Sequence, residues 1–320
     1  MNKYNAKELV KYLSSPQDIL IGCVSYESRC LSIPLALKDI KIKYPIFFLV
    51  NEFANFSKNN KDQLNLIFGE TLKTICYSNK EHIDFVDQLV DLLINVEKLE
   101  GRKLNITVDI TTFTRESLVI LIGVLFSLKD KIDTLHLAYS PPSQISHEWL
   151  SRGFTGLRSI LGYPGERSSL KPLHMVVMTG FELERAKNII NEYEPFLISI
   201  GTPCVEKSIN PEFHERNEKF VNDLIEYYGT NVETFKFSLI EPTKVICELE
   251  NHIGKFKNEY NTVIAPLNNK ISTVGAALYA IKHTDVQLCY LPAEEYNTEN
   301  YSVPSDFFYA GKINLNSIQN

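Results

Sequence analysis

Acidic, basic and hydroxyl side chains are concentrated in one short stretch of this chain. Asp109 falls near the carboxyl end of a β-branched run, a threonine turn follows this run, and Arg115 and Glu116 open an apolar segment. The run Ile106–Ile110 predicts a short buried strand, and residues 117–128 predict a helix. Ligands bind at the carboxyl ends of the strands in open α/β sheets, so a site is expected at this junction.

The turn between this strand and this helix suits an anion. Thr111, Thr112 and Thr114 offer hydroxyl groups beside a helix N-terminus, which attracts negative charge. An alternative that does not exclude binding is that Thr114 simply caps the helix. Asp109 lies at the end of a buried strand and needs a partner, which could be an arginine, a metal ion or a ligand hydroxyl.

This strand and its threonine-rich turn resemble the ligand-facing turn of Rossmann-type nucleotide-sensor domains, such as those attached to CRISPR systems. The resemblance covers the strand and the turn alone and is one of fold. It implies a nucleotide as the ligand.

Arginine is placed selectively. The 33 basic residues comprise 8 arginines and 25 lysines. Arginine binds phosphate or carboxylate through two parallel hydrogen bonds, which lysine cannot do, so arginines beside strand ends predict an anionic ligand. The alternative is structural ion pairs with Glu27, Asp109, Glu116 and Glu182. Six arginines follow a predicted strand or lie between residues 143 and 172: Arg29, Arg115, Arg152, Arg158, Arg167 and Arg185.

These patterns give a set of candidate site residues. The catalytic candidates, acting as general acid or base, are Asp109, Glu27 and Glu116. We expect Arg29, Arg115 and Arg185 to hold the anionic oxygens of the ligand. The predicted ligand-binding residues are Ser25, Tyr26, Arg29, Thr111, Thr112, Thr114, Arg115, Arg152, Arg158, Gly180, Glu182, Arg185, Asn268 and Lys270.

Several familiar motifs are missing from the sequence. Gly22 stands alone near the end of the first predicted strand, so the glycine fingerprint of a dinucleotide site is not formed. The chain contains no phosphate-binding loop of the GxxxxGK[ST] type, no GxSxG elbow, no HExxH helix and no CxxC pair. We therefore predict neither a cofactor nor a metal ion.

The order of predicted elements indicates an α/β fold. A chain of 320 residues suggests roughly two domains of about 150 residues. Each half alternates five predicted strands with four helices, which predicts two Rossmann-like parallel-sheet domains in tandem. They would arise by duplication, or by coincidence among generic βα units. The predicted boundaries are an N-terminal domain at 1–142, an irregular linker at 143–172 and a C-terminal domain at 173–320, with an irregular tail after residue 292.

Composition limits the location and the partners. The net charge is −6 and the pI is near 5.7, which argues against a broad basic surface for duplex nucleic acid. The longest apolar candidate, residues 118–128, is too short to span a membrane. Six scattered cysteines fit a reducing cytoplasm, and the abundance of Asn, Lys and Ile hints at a bacterial source.

Three functions are consistent with the sequence. The first is a cytoplasmic protein that binds a phosphorylated small molecule, such as a nucleotide, as a sensor or accessory factor. The second is a hydrolase or transferase that acts on such a ligand through a carboxylate. The third is a structural subunit of a multiprotein complex. The sequence leaves open whether the chain forms a homo-oligomer or binds a protein partner.

Overall fold

The structure is a computed structural model that describes residues 1–14, 17–204 and 210–318. The chain divides into two compact units. Unit 1 comprises Met1–Ser117, Val124–His147 and Thr298–Ser317, and unit 2 contains Leu118–Gly123 and Glu148–Asn297. Each unit is built on its own sheet.

The sheet of unit 1 has a parallel centre. Its five parallel strands are β2 (Gln17–Val24), β3 (Ile42–Val50), β4 (Lys73–Tyr77), β5 (Leu104–Asp109) and β6 (Ile132–Tyr139). The helices between them are α2 (Ser32–Ala36), α3 (Lys58–Phe68), α4 (Ile83–Glu100) and α5 (Arg115–Ser127). The parallel strands lie side by side in the order β4–β3–β2–β5–β6.

The residues of these elements explain their form. Every residue of β2 is buried, which is typical of a parallel strand covered on both faces. Leu20, Phe47 and Leu64 belong to one apolar core cluster of this unit. Helix α4 ends at Gly101, whose φ of 63° lies in the left-handed region that glycine adopts without steric cost.

The N- and C-terminal segments extend the sheet of unit 1. Helix α1 (Ala6–Tyr12) follows β1 (Asn2–Asn5), which pairs with β17 (Phe307–Ile313), and β17 also pairs antiparallel with β6. The prediction of an irregular tail after residue 292 is therefore wrong. Phe308 and Ala310 are buried in the core, so the tail gains apolar burial as a strand.

Unit 2 repeats the parallel arrangement. Its five parallel strands are β10 (Leu173–Met178), β11 (Leu197–Pro203), β12 (Val232–Phe237), β13 (Asn261–Pro266) and β14 (Gln287–Tyr290). The helices are α6 (Leu183–Tyr193), α7 (Pro211–Tyr228), α8 (Pro242–Ile253) and α9 (Lys270–Lys282). The strand order is β12–β11–β10–β13–β14, which matches the order in unit 1 relative to the chain.

The connection predicted to be irregular holds three short strands. They are β7 (Pro142–Ile145), β8 (Ser151–Phe154) and β9 (Arg158–Ser159). β9 pairs with β14, β8 pairs with β15 (Ala293–Tyr296), and β7 pairs with β16 (Ser302–Pro304). The division into units accordingly differs from the predicted boundaries, because residues 298–317 belong to unit 1 and residues 148–172 to unit 2.

The prediction of an α/β fold with parallel sheets is confirmed. Among the described helices, none is both long enough and apolar enough to cross a bilayer.

Candidate functional site

The order of the parallel strands reverses between β2 and β5 in unit 1. From β2 the chain proceeds to β3 and β4 on one side, and it returns to β5 and β6 on the other. In open α/β sheets, ligands bind outside the carboxyl ends of the strands at such a reversal. Asp109 ends β5, and Ser25 follows β2 directly.

Asp109 is a buried carboxyl group at this reversal. Its side chain is 2% exposed, and the backbone N–H of Thr111 donates to its Oδ1 at 3.0 Å. Burial raises the pKa of Asp109 from 3.8 to about 7, although hydrogen bonds from Thr111 and the charge of Arg29 oppose the rise. The group therefore exchanges its proton near neutral pH, as a general acid or base does.

Arg29 and Glu27 form a buried ion pair after β2. The Nε of Arg29 donates to the carboxylate of Glu27 at 3.0 Å and to the hydroxyl of Ser302 at 2.8 Å. A second guanidinium nitrogen donates to the carbonyl of Ser140 at 3.1 Å, and Ser302 donates to Glu27 at 2.6 Å. The ion-pair alternative therefore describes Arg29, whose guanidinium nitrogens are engaged by the protein itself. We call the pair of Arg29 and Glu27 the first brace.

The charge of Arg29 is stabilised despite its burial. Removal from water lowers the pKa of Arg29, but the Glu27 carboxylate and the nearby hydroxyls of Tyr139 and Tyr301 outweigh that effect and raise it above its ordinary value. The same burial raises the pKa of the neighbouring Cys30 thiol to about 12, so this cysteine stays protonated at neutral pH.

Hydrogen bonds hold the loop that joins β2 to the first brace in place. Ser25 is buried, and its hydroxyl accepts a hydrogen bond from the backbone N–H of Glu27 at 3.2 Å. The side-chain amide of Asn60 donates to the carbonyls of Ser25 and Tyr26 at 2.8 and 3.3 Å. Tyr26 is half-buried.

The threonine turn ties the strand ends together. The hydroxyl of Thr111 accepts from the backbone N–H of Ser140 at 3.0 Å, and Thr112 donates to the carbonyl of Cys23 at 2.7 Å. Thr114 caps α5, since its hydroxyl accepts from the backbone N–H of Ser117 at 3.1 Å. The capping alternative is thus confirmed, while Thr112 and Thr114 both remain half-buried rather than enclosed.

Glu116 lies in a buried polar cluster at the start of α5. Its Oε2 is 3.9 Å from the Nε2 of His82, which lies 3.2 Å from the hydroxyl of Ser117. Tyr77 donates to the same Ser117 hydroxyl at 2.8 Å. Arg115, one residue before Glu116, is half-buried. His82 was not among the predicted site residues, because the histidines of the sequence lack ligand spacing; in the structure it directly precedes α4.

Unit 2 carries a second brace after its first parallel strand. Arg185 is 1% exposed and donates to Glu182 at 2.9 Å, and Ser151 of β8 donates to the same carboxylate. The guanidinium carbon of Arg185 lies 5.0 Å from the ring centre of Phe154 and 5.6 Å from that of Tyr290. Arg185 and Glu182 are therefore paired with each other, as Arg29 and Glu27 are.

In unit 2 the chain segments that follow β10 and β13 contact each other directly. A Cβ at Gly180 would overlap the carbonyl oxygen of Leu267, so glycine permits the backbones after β10 and β13 to meet. Asn217 donates to the carbonyls of Gly180 and Thr179 at 2.9 and 3.1 Å, and Asn268 also donates to Thr179. Gly180 and Asn268 thus contact other protein atoms at this reversal.

The remaining candidates in unit 2 are Arg152, Arg158 and Lys270. Arg152 is exposed, pairs with Glu295 at 2.6 Å and lies 4.4 Å from the ring centre of Trp149. Arg158 is half-buried in β9. Lys270 is half-buried in the first turn of α9.

The structure brings part of the predicted set together. The members in unit 1 that share direct contacts or lie beside them are Ser25, Tyr26, Glu27, Arg29, Asp109 and Thr111. Ser302 was missed, because no local pattern marks a serine in the tail. Among the described residues, no group of three or more His, Cys, Asp or Glu side chains is arranged to hold a metal ion.

Comparisons with known proteins give no family. No family model matches the sequence, and no curated protein matches it significantly. Among solved structures, the chain is similar to the cytoplasmic domain of a prokaryotic cation chloride cotransporter, with 11% identity and a TM-score of 0.26 over 89% of this chain and 99% of that chain. It is also similar to O-ureido-L-serine synthase, with 9% identity and a TM-score of 0.21 over 83% of this chain and 77% of that chain. Both likenesses are too distant to bear on function.

Proposed function

We propose that unit 1 binds a phosphorylated small molecule, such as a nucleotide, at the carboxyl ends of β2 and β5. The observation that carries this proposal is Asp109, a carboxyl group buried at the strand-order reversal with its pKa raised to about 7. A buried carboxylate costs stability unless it is paired and hydrogen-bonded, and a carboxyl group whose pKa is strongly raised in a cleft is a candidate for a functional role. Its task here would be to hydrogen-bond a hydroxyl group of the ligand, as acidic residues do for ribose in related sheet architectures.

The anionic group of the ligand would lie at the start of α5. Arg115 is in the first turn, Thr112 and Thr114 are half-buried beside it, and the helix N-terminus attracts negative charge. Arg29 is paired with Glu27, so we assign it a structural role at the strand ends rather than a contact with the ligand. In unit 2 the backbones that follow β10 and β13 meet at Gly180, so we assign ligand binding to unit 1.

The proposal is tested first by identifying what the protein carries. Small molecules released from the purified protein by denaturation are identified by mass spectrometry. Inorganic phosphate and the four ribonucleoside monophosphates are then titrated into the stripped protein by calorimetry. We expect micromolar to millimolar binding of at least one phosphorylated probe, and no binding of any of them would refute the proposal.

A matched pair of arginine variants then tests the location. Arg115→Ala should weaken binding by about 1.5–3 kcal/mol, because it removes a charge-assisted hydrogen bond. Arg102→Ala is the control: this arginine pairs with Asp18 at 2.6 Å, at the opposite, amino-terminal edge of the same sheet. It makes the same change in net charge and should leave the affinity unaltered. Equal affinities in both variants would remove Arg115 from the site.

A second candidate function is catalysis at the same place, by a hydrolase or a transferase. The observation that favours it is again the pKa of Asp109 near 7, which suits a general acid or base at neutral pH. Glu27 is fixed in the first brace and Glu116 lies beside His82, so Asp109 is the first choice among the three carboxylates. Asp109→Asn separates the functions: turnover lost with binding retained favours the enzyme, and binding lost without any turnover in the wild type favours the binding protein.

We further propose that the chain is a tandem pair of Rossmann-like units related by duplication. Both sheets place their parallel strands in the order third, second, first, fourth, fifth. In both, a glutamate and an arginine pair after the first strand, and a serine from an added short strand donates to the glutamate. Coincidence among generic βα units gives no reason for that serine to recur.

Equivalent braces should respond equally to the same change. Ser302→Ala and Ser151→Ala should each lower the free energy of unfolding by about 1–3 kcal/mol, the cost of leaving a buried carboxylate short of a donor. Urea unfolding followed by circular dichroism measures both. A loss confined to one variant would speak against equivalence.

We also propose a cytoplasmic location. The six cysteines all carry thiols, as cysteines of proteins from reducing compartments do. Fractionation of the source cells with detection of the native protein tests this, and recovery outside the cytoplasm would overturn it.

A further inference from the structure

Three half-buried aromatic rings lie near the carboxyl ends of the parallel strands of unit 1. Tyr26 follows β2, Phe53 follows β3, and Tyr301 precedes β16. The ring centre of Tyr26 is 5.9 Å from that of Phe53 and 5.8 Å from that of Tyr301, with interplanar angles of 81° and 72°. Tyr26 is thus the middle ring of a group to which three separate segments contribute. We call it the aromatic trio.

The backbone around the aromatic trio is held in place. Asn60 donates to the carbonyl of Tyr26 at 3.3 Å, and the backbone N–H of Ser146 donates to the carbonyl of Tyr301 at 3.1 Å. Ser302, the next residue, bonds both partners of the first brace. A surface fixed in this way loses little conformational entropy when a ligand binds, which favours affinity.

The aromatic trio differs from the rings in the core of unit 1. Phe47, Phe48 and Phe85 are fully buried in the core, where apolar burial alone accounts for them. Tyr26, Phe53 and Tyr301 keep part of their surface open. Tyr26 and Tyr301 directly precede Glu27 and Ser302, which both contact Arg29 of the first brace. A planar ring of a ligand can stack on aromatic side chains that stay partly accessible at the ends of strands.

We infer that the ligand of unit 1 carries a planar aromatic ring, such as a nucleobase, and that Tyr26, Phe53 and Tyr301 form the subsite that stacks against it. This inference rests on the proposed function and specifies its ligand class. The phosphate end would lie at the start of α5 and the ring end against the aromatic trio. Phe53 and Tyr301 are then binding residues that the sequence did not single out.

The experiment compares ligands with and without the ring. The four ribonucleoside monophosphates and ribose 5-phosphate are titrated calorimetrically into the wild-type protein. Stacking on an aromatic side chain is worth about 1–3 kcal/mol, so at least one nucleotide should bind roughly 5- to 100-fold more tightly than ribose 5-phosphate. Nucleotide and ribose 5-phosphate binding with equal affinity would overturn the inference while leaving the proposed function intact. Failure of all five probes would instead refute the proposed function, and the ring subsite with it.

Substitutions in the aromatic trio locate the ring. Tyr26→Ala should reduce nucleotide affinity to that of ribose 5-phosphate and leave ribose 5-phosphate affinity unchanged. Tyr26→Phe keeps the ring and should keep the preference. Phe53→Leu preserves apolar volume and should retain the fold while lowering the preference several-fold. If Tyr26→Ala weakens both ligands equally, or if Phe53→Leu leaves the preference intact, stacking on the aromatic trio is refuted.

Discussion

The carboxyl group of Asp109 lowers the stability of unit 1 at neutral and alkaline pH, and Asp109→Asn should reverse that effect. The substitution removes the charge and preserves the size of the side chain. The amide oxygen of asparagine can still accept the Thr111 N–H, which Asp109 accepts at 3.0 Å. The difference between the two proteins therefore reports mainly on ionisation.

The magnitude follows from the two protonation states. Burial raises the pKa of Asp109 to about 7 in the folded protein, against an ordinary value of 3.8. Between these values the folded protein keeps a proton that the unfolded chain has released, so the free energy of unfolding falls as the pH rises. A span of roughly three pH units at about 1.36 kcal/mol per unit gives a loss of about 4 kcal/mol. With 2% of the residue exposed, solvent screening reduces this figure little.

Urea unfolding measured at several pH values gives the comparison. At pH 8, Asp109→Asn should be more stable than the wild type by about 2–4 kcal/mol, and near pH 4 the two should agree. Unit 2 contributes equally to both curves, so the difference isolates the substituted site. The same variant should lose its ligand or its turnover, since a site that carries function is often suboptimal for stability.

Asp18→Asn is the matched control, with the opposite sign. Asp18 is also buried in unit 1, but hydrogen bonds from Arg102 and from the backbone N–H of Asn105 overcome the effect of burial and lower its pKa. Its charge therefore stabilises the fold above pH 4 or so, and its removal should destabilise the protein at pH 7. Parallel pH dependence of wild type and Asp109→Asn between pH 5 and 8 would refute the reasoning.

Two further predictions concern unit 2. His174 and His252 both contact the hydroxyl of Ser199, at 2.6 and 2.7 Å, and burial lowers their pKa values to about 3 and about 4. Because both pKa values lie below the ordinary value of 6.5, the free energy of unfolding should decrease as the pH falls below 6.5, by up to about 2.7 kcal/mol per pH unit. His174→Phe should reduce this pH dependence, which urea unfolding followed by tryptophan fluorescence measures. Gly180→Ala forces a methyl group onto the Leu267 carbonyl and should cost about 2–4 kcal/mol in the same assay; an unchanged transition would contradict the direct contact between the segments after β10 and β13.

Local patterns were sufficient to predict the parallel-sheet elements and the position of Asp109 near the end of a strand. The run ending at Asp109 reads as a strand because its residues are β-branched, and it is one. Thr114 reads as a helix cap and is one. Both signals span a few residues, and periodicity and capping chemistry capture interactions of that range.

Long-range partners could not be predicted in the same way. Ser302 donates to Glu27 across 275 positions of the sequence, and nothing near either residue encodes that approach. The engagement of Arg29 by Glu27, only two residues away, stayed one of two alternatives because the sequence does not show whether a ligand or a protein carboxylate binds the guanidinium. The tail was misread because its short strands are interrupted by polar residues, while Phe308 and Ala310 find their burial against the distant strand β6.

The chain contains its own comparison for Asp109. Strands β5 and β13 are both the fourth parallel strand of their sheets, both have six residues, and both precede a capped apolar helix. β5 ends in Asp109, whereas β13 ends in Pro266. The fold therefore tolerates a strand end without a carboxylate. At the strand ends of unit 2 the buried charges of Glu182 and Arg185 are paired with each other. In unit 1 the carboxyl group of Asp109 is kept although it lowers stability at neutral pH, which is why we assign the site to that unit.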